Sequence, residues 1–277
     1  MRLSGAFSKM RRLIRIYRAG LSRELSATAA YRGSLAIWMF GVVVAPYVSL
    51  TVWLAVLGDR AAIGPYGRAQ FVQYYLGVSL VAMLTGAWAA HFIPEDIRRG
   101  GLNQHLLRPW SYLHHYIINN IGEKLSKLVI LGPMILIVAL GFRQDLRLGL
   151  SWAGALLLPC SILMGAAIAL LINVCVGLIA FWTSDTTGIK AFYLFLEALL
   201  SGQTIPLNLF PADWQGPLRL APFRYTLSLP VEIITGTLEG RELAFGLGMQ
   251  VVWLALAYVA YRAMWRAGIR TYGAVGG

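Results

Sequence analysis

The chain has 277 residues, 58% of them hydrophobic and only 13% charged, with a mean hydropathy of +0.64 and a formal net charge of +12. A soluble domain carries about 25% charged residues, so this deficit excludes a soluble enzyme or a soluble domain on one anchor and reads as a polytopic membrane protein. No soluble basic domain carries the positive excess, which excludes nucleic acid as a partner and points to membrane topology and anionic lipid instead.

The basic segment at the start has a helical pattern. Met10, Leu13, Ile14, Tyr17, Leu21 and Leu25 recur at i, i+3, i+4, i+7 spacing, with Arg11, Arg12, Arg15 and Arg18 on the opposite face. Such a helix, placed over 8–28, suits an inner membrane surface or a soluble partner. The apolar run that follows begins too late for a secretory leader and reads as a retained span.

A membrane core about 30 Å thick takes about 20 apolar residues. On that measure the chain is expected to be all-α with six transmembrane helices: 35–57, 69–92, 117–142, one tilted helix within 148–184 bent at Pro159, 188–205 and 243–265. Both termini then share a side. That side and its connections hold 17 of the 24 Lys and Arg residues, which places it in the cytoplasm. The segment 203–240 holds five of the eleven prolines together with Phe210, Trp214, Phe223 and Tyr225. It is too apolar for a watery loop and too rich in proline for a straight span, so it is expected to form short re-entrant helices in the outer leaflet.

Chemistry-bearing patterns are missing. The sequence has no Walker A pattern, no G-x-S-x-G, no H-E-x-x-H and no dinucleotide fingerprint, so no catalytic residue and no bound cofactor is expected in this chain. Cys160 and Cys175 would stand about 22 Å apart on one helix and cannot pair. All four histidines fall in 91–116, but no metal site is expected. His91 and Glu95 are four apart with Pro94 between them, which disfavours a regular helix there; His105 is distant, and His114 and His115 point to different faces.

The loop 93–112 is the most informative stretch. "EDIRRGGLNQHLLRP" reads as a turn or short helix, a Gly–Gly break, then a short amphipathic helix with Leu102, Leu106 and Leu107 as a ridge and Pro109 as its stop. By pattern alone it is equally a docking knob or a plain basic inside loop. Glu197 is the one acid deep in an apolar span, where a carboxylate is costly and either functional or paired between helices.

The order of a basic amphipathic helix, six spans, the Asp96–Ile97–Arg98, Gly100, Leu102, Leu106 and Arg108–Pro109 pattern after the second span, and the proline-broken segment before the last resembles the type-2 ABC exporter permeases of bacteria. The resemblance covers nearly the whole chain and implies a single permease domain over 1–277 in the bacterial cytoplasmic membrane, with ATP and magnesium bound by a separate cytosolic ATPase dimer. It implies a second permease subunit, identical or homologous, and alternating access that moves a hydrophobic or amphipathic substrate outward. It assigns ATPase docking to Glu95, Asp96, Ile97, Arg98, Gly100, Leu102, Leu106, Leu107, Arg108 and Pro109. The interfacial helix bearing Arg11, Arg12, Arg15 and Arg18 would lie against the same partner. It places Gln73, Tyr74, Tyr75, Phe192, Tyr193, Phe195 and Glu197 on the substrate pathway. A stand-alone secondary transporter or channel would need more intramembrane charge, and a lipid-modifying membrane enzyme would need a polar cluster at one membrane face.

Overall fold

The computed structural model describes residues 14–26, 32–108, 110–145, 151–238 and 240–273, with side chains throughout these except at 32–43 and 130. The described chain is helical, and its one bridge of β type joins Ile63 to Tyr66. In chain order the helices are α1 (14–26), α2 (Arg32–Leu57), α3 (Arg68–Thr85), α4 (Ala89–Arg98), α5 (Leu102–Leu106), α6 (Tyr112–Gly141), α7 (Trp152–Leu178), α8 (Thr187–Leu200), α9 (Ala212–Leu220), α10 (Ser228–Ile234) and α11 (Gly240–Thr271).

Three stretches are long and apolar enough to cross a membrane: Arg68–Arg98, Trp152–Phe181 and Gly240–Thr271. A fourth, α6, bends by 45° between Tyr112–Val129 and Leu131–Gly141. Pro133 explains the bend, because its ring displaces the Val129 carbonyl and it has no N–H to offer it. Val44–Leu57 is a shorter apolar helix within α2. The expected fifth span is α8, whose 14 residues reach about 21 Å at 1.5 Å per residue, and the chain turns at Gly202 beyond it. Pro159 lies inside the single helix α7, as the long fourth apolar run suggests.

α7 is the central helix and touches α3, α4, α6, α8, α10 and α11. Small residues let other backbones reach it. A Cβ at Gly165 would stand 3.0 Å from the Tyr225 carbonyl oxygen, and one at Gly177 would stand 2.8 Å from Ile93. These contacts are twelve residues apart on α7, about 18 Å along its axis. The proline-rich segment therefore packs near the middle and first half of α7, and the 93–112 loop packs at its far end. Gln250 of α11 ties the same two segments together, donating to the carbonyl of Ser161, one turn before Gly165, at 3.0 Å and to the Tyr225 carbonyl at 2.9 Å.

Between 203 and 238 the chain forms two short α-helices, α9 and α10, and two 3-10 turns, Leu207–Leu209 and Pro222–Tyr225, and α10 packs on α3 and α7. The buried Arg224 donates to Glu232 at 2.6 Å, and Ser228 donates to the same carboxylate at 2.7 Å. This pairing satisfies a charge that burial would otherwise make costly. Gly202 has φ +86°, and a Cβ there would meet the Tyr74 hydroxyl at 2.5 Å. Gly202→Ala is expected to cost about 1–3 kcal/mol and lower the melting temperature. Gly188→Ala, in α8, where an added Cβ meets nothing within 4 Å, serves as control and should not lower the melting temperature.

One local expectation is corrected. Pro94 sits inside α4 and does not break it. The bond it forfeits is offset by burial, because Ile93, Pro94 and Ile97 all face inward and Ile93 wedges against Gly177. Tertiary packing overrides the local preference here.

Candidate functional site

Two sites emerge, one at each end of α4. The second apolar span is two helices, α3 and α4, separated at 86–88. Gly86 ends α3 with φ −53° and ψ 145°, which turns its carbonyl away from the helix. That carbonyl accepts from Lys124 at 2.7 Å and from Asn120 at 3.2 Å, while Lys124 also donates to Asn120 at 2.7 Å. An irregular backbone at membrane depth needs such partners, because lipid supplies none. One turn further along α6, Lys127 is 3% exposed, pairs with Glu123 at 2.5 Å and lies 5.5 Å from the centre of the Trp88 ring.

Beside this break is a cavity of about 490 Å³ lined by Trp88, Lys127, Leu194, Glu197, Ser201 and Leu227, among others. Its walls are mostly apolar, with a few polar groups converging on the space, the usual make-up of a small-molecule site. The buried Ser201 hydroxyl has no protein partner. Glu197 enters from α8, within hydrogen-bonding reach of the Tyr193 hydroxyl. Tyr193 is buried and itself accepts from Asn173 at 2.9 Å.

The other pathway residues lie elsewhere. Tyr74 and Tyr75 are buried and donate to the Gly202 and Thr204 carbonyls at 2.8 and 2.7 Å, which fastens the turn after α8 to α3. Gln73 is on the same helix, half-buried. Phe192 and Phe195 point away from the described chain, 63% and 61% exposed. Of the seven, Glu197 is the one that lines the cavity. Lys124, Lys127 and Asn120 were not singled out from sequence. The signal available was their four-residue spacing, Asn120 to Lys124 and Glu123 to Lys127, which puts partners on one helix face.

At the far end of α4 the loop is braced from within. The Asp96 carboxylate accepts from Tyr112 at 2.7 Å and Tyr116 at 3.1 Å, two hydroxyls one turn apart on α6. Gly100, with φ +75°, turns the chain into α5, and Gly101 passes close against Asp96. Ile97 and the fully buried Leu102 join a core with Tyr112, Val174, Leu178 and Tyr261. Arg98 donates to the Ser184 carbonyl at 2.7 Å, tying the loop to the turn between α7 and α8. Tyr272, past α11, donates to Asn103 at 3.1 Å.

The outward surface is what remains. Glu95 and Arg99 form an exposed pair at 2.8 Å, and Leu106 and Leu107 project at 45% and 88% exposure. Arg108 lies over Trp110, 5.8 Å from the ring centre. The expected leucine ridge thus divides, with Leu102 inward and the other two outward. Pro109 lies outside the described residues.

α1 lies across the first turns of α6 at this same end. Gly20 packs on Ile118, Gly122 on Glu24, and Glu24 accepts from Asn119 at 3.1 Å. Arg15 and Arg18 are exposed; Arg11 and Arg12 lie outside the described residues. The histidines serve local contacts. His114 shares a hydrogen bond with Ser111 at 2.6 Å, and the His105 and His115 rings are 4.4 Å apart. Burial, and then the charge of Arg108, holds the His105 pKa below its ordinary value. Among the described residues no group of three His, Cys, Asp or Glu side chains is placed to hold a metal.

A family model described as "ABC-2 family transporter protein" matches residues 43–276. No curated protein matches the chain.

Proposed function

Because the chain belongs to the ABC-2 family of transporters, we propose that it is the permease subunit of an ATP-driven exporter whose ATPase docks on the outward face of the 93–112 loop. The chain is a multi-pass membrane protein and a transport component, and permeases of this family work with ATP-binding subunits. One observation carries the docking assignment. The loop is held rigid by Asp96, Ile97, Arg98 and Leu102, yet presents two apolar side chains, Leu106 and Leu107, outward beside an exposed ion pair. A stiff support under an exposed apolar tip is what a part that transmits force requires, because a yielding loop would absorb the displacement.

On this reading Glu95, Leu106 and Leu107 touch the ATPase, Arg108 lies at the edge of that contact over Trp110, and Asp96, Ile97, Arg98, Gly100 and Leu102 shape the loop behind them. ATP and magnesium bind the partner dimer, and a second permease, identical or homologous, completes the pathway. The loop, α1 and both termini are cytoplasmic in a bacterial cytoplasmic membrane. The segment 203–240 is the outer lid of a six-span bundle. Arg98 relays loop movement to α8 through Ser184, so closure of the ATPase dimer reaches the cavity at Glu197. The cargo is a hydrophobic or amphipathic molecule carried outward by alternating access.

The test of the pathway is Glu197→Gln in the reconstituted transporter. It is expected to change which substrates are carried by about tenfold in relative rate, since exchanging a carboxyl oxygen for an amide in a poorly hydrated cavity alters a hydrogen bond worth more than about 1 kcal/mol, while the ATPase still co-purifies. An unaltered substrate profile removes Glu197 from the pathway.

A further inference from the structure

A second and larger groove, about 790 Å³, opens between α1, the end of the loop and the start of α6. Arg15 and Arg23 reach it from α1, Arg108 and Trp110 from the loop, and Ile16 and Ile118 form part of its floor. Arg15 and Arg23 are eight residues apart, about 12 Å along the helix. Arg23 is held by Glu24 at 2.9 Å, while Arg15 and Arg108 make no ion pair among the described residues. Three guanidinium groups from two elements therefore edge a pocket whose floor is apolar, with one carboxylate beside them.

We propose that this groove binds the phosphate-bearing headgroup of an anionic glycerophospholipid, with the glycerol and upper acyl chain lying on Ile16 and Ile118. Guanidinium forks match phosphate oxygens in pairs, and Arg108 is pre-oriented by its stacking on Trp110. A free phosphate or a purely acidic peptide would leave the isoleucine floor unmatched. The depth also fits a lipid. Tyr17 and Trp110 are both part-exposed at this end of α6, and aromatic side chains of this kind are enriched at the membrane–water boundary. A volume near 800 Å³ accommodates a headgroup with its glycerol. The bound lipid would fasten α1 to the Arg108 end of the docking loop. The proposal stands apart from the identity of the cargo and of the ATPase.

The experiment is native mass spectrometry of the full-length permease with its ATPase, released from detergent and titrated with phosphatidylglycerol, phosphatidylcholine or inorganic phosphate. The expected preference for phosphatidylglycerol over phosphatidylcholine is about 20-fold, from two unpaired arginines at a membrane surface. Arg15→Gln with Arg108→Gln should reduce that preference to about twofold, and Arg15→Lys with Arg108→Lys, which keeps the charge but loses the paired fork, should leave a preference between the two. Arg60→Gln with Arg143→Gln, which alters basic residues at the other end, should change nothing. The glutamine pair is compared only after its melting temperature in phosphatidylcholine matches the parent; if it does not, the lysine pair and the phosphate competition decide. Three results overturn the proposal: equal binding of the two lipids by the parent chain, displacement of phosphatidylglycerol by inorganic phosphate at equal concentration, and loss of the ATPase with lipid preference intact. The last would make the groove a seat for an acidic protein segment.

Discussion

Leu107→Asp is expected to release the ATPase from the purified complex, with affinity lower by about 30-fold or more, while the permease itself melts at an unchanged temperature. Leu107 is 88% exposed and touches little of its own chain, so its loss leaves no cavity. In a docked complex it would be the buried anchor of the contact. Truncating such an anchor costs about 2 kcal/mol, and a carboxylate left in an apolar cleft adds a desolvation cost. Leu102→Asp should behave in the opposite sense. Leu102 is fully buried among Tyr112, Leu178 and Tyr261, so the permease should lose stability first. Affinity from pull-down titration and melting temperature, measured on both variants, separate the two faces of the loop. Equal ATPase affinity for Leu107→Asp and the parent would contradict the docking assignment.

Asp96→Ala is expected to leave the ATPase bound yet uncouple its hydrolysis from transport. The substitution strips two tyrosine hydroxyls of a charged acceptor, which is worth about 2–4 kcal/mol to the loop's conformation. The outward leucines remain, so association falls only modestly. The support behind them loosens, and ATP-driven displacement is absorbed in the loop. Transport per ATP hydrolysed should fall by about tenfold or more, against a fall in ATPase affinity within about threefold. Asp96→Asn, which keeps an acceptor oxygen, should recover part of the coupling. A proportional loss of binding and transport would place Asp96 at the ATPase surface instead. Tyr116→Phe removes the longer of the two bonds and should have the smaller effect.

The comparison of these two residues shows what the sequence could and could not tell. The pattern from Glu95 to Arg108 located the loop, and its leucine spacing predicted a short amphipathic helix, present as α5. Spacing alone could not say that Asp96 faces Tyr112 and Tyr116, because the partners are 16 and 20 residues away and fixed only by how α4 folds back on α6. The same limit hid the helix break at 86–88. "TGAWAAH" is apolar enough to pass as the end of one span, and the groups that satisfy the freed Gly86 carbonyl come from α6. Tyr74 and Tyr75 drew notice as aromatic residues in a span. Their hydroxyls find backbone carbonyls well over a hundred residues away, which no periodicity could disclose. Glu197 was legible because a lone acid in an apolar run is costly wherever it folds. The helices themselves were legible because their apolar runs are long, except α8, whose run continues past its helical end at Leu200 into the turn at Gly202.

The most direct measurement is site-directed cross-linking in the assembled complex. Leu107→Cys, in a chain with Cys160 and Cys175 replaced by Ala, would be paired with single cysteines introduced around the ATPase surface, with and without ATP. The account predicts a disulfide between position 107 and one cleft of the ATPase, formed at different rates in the two nucleotide states, and none from Trp214→Cys in the segment at the opposite end. Cross-linking from position 214 with none from position 107 would contradict it.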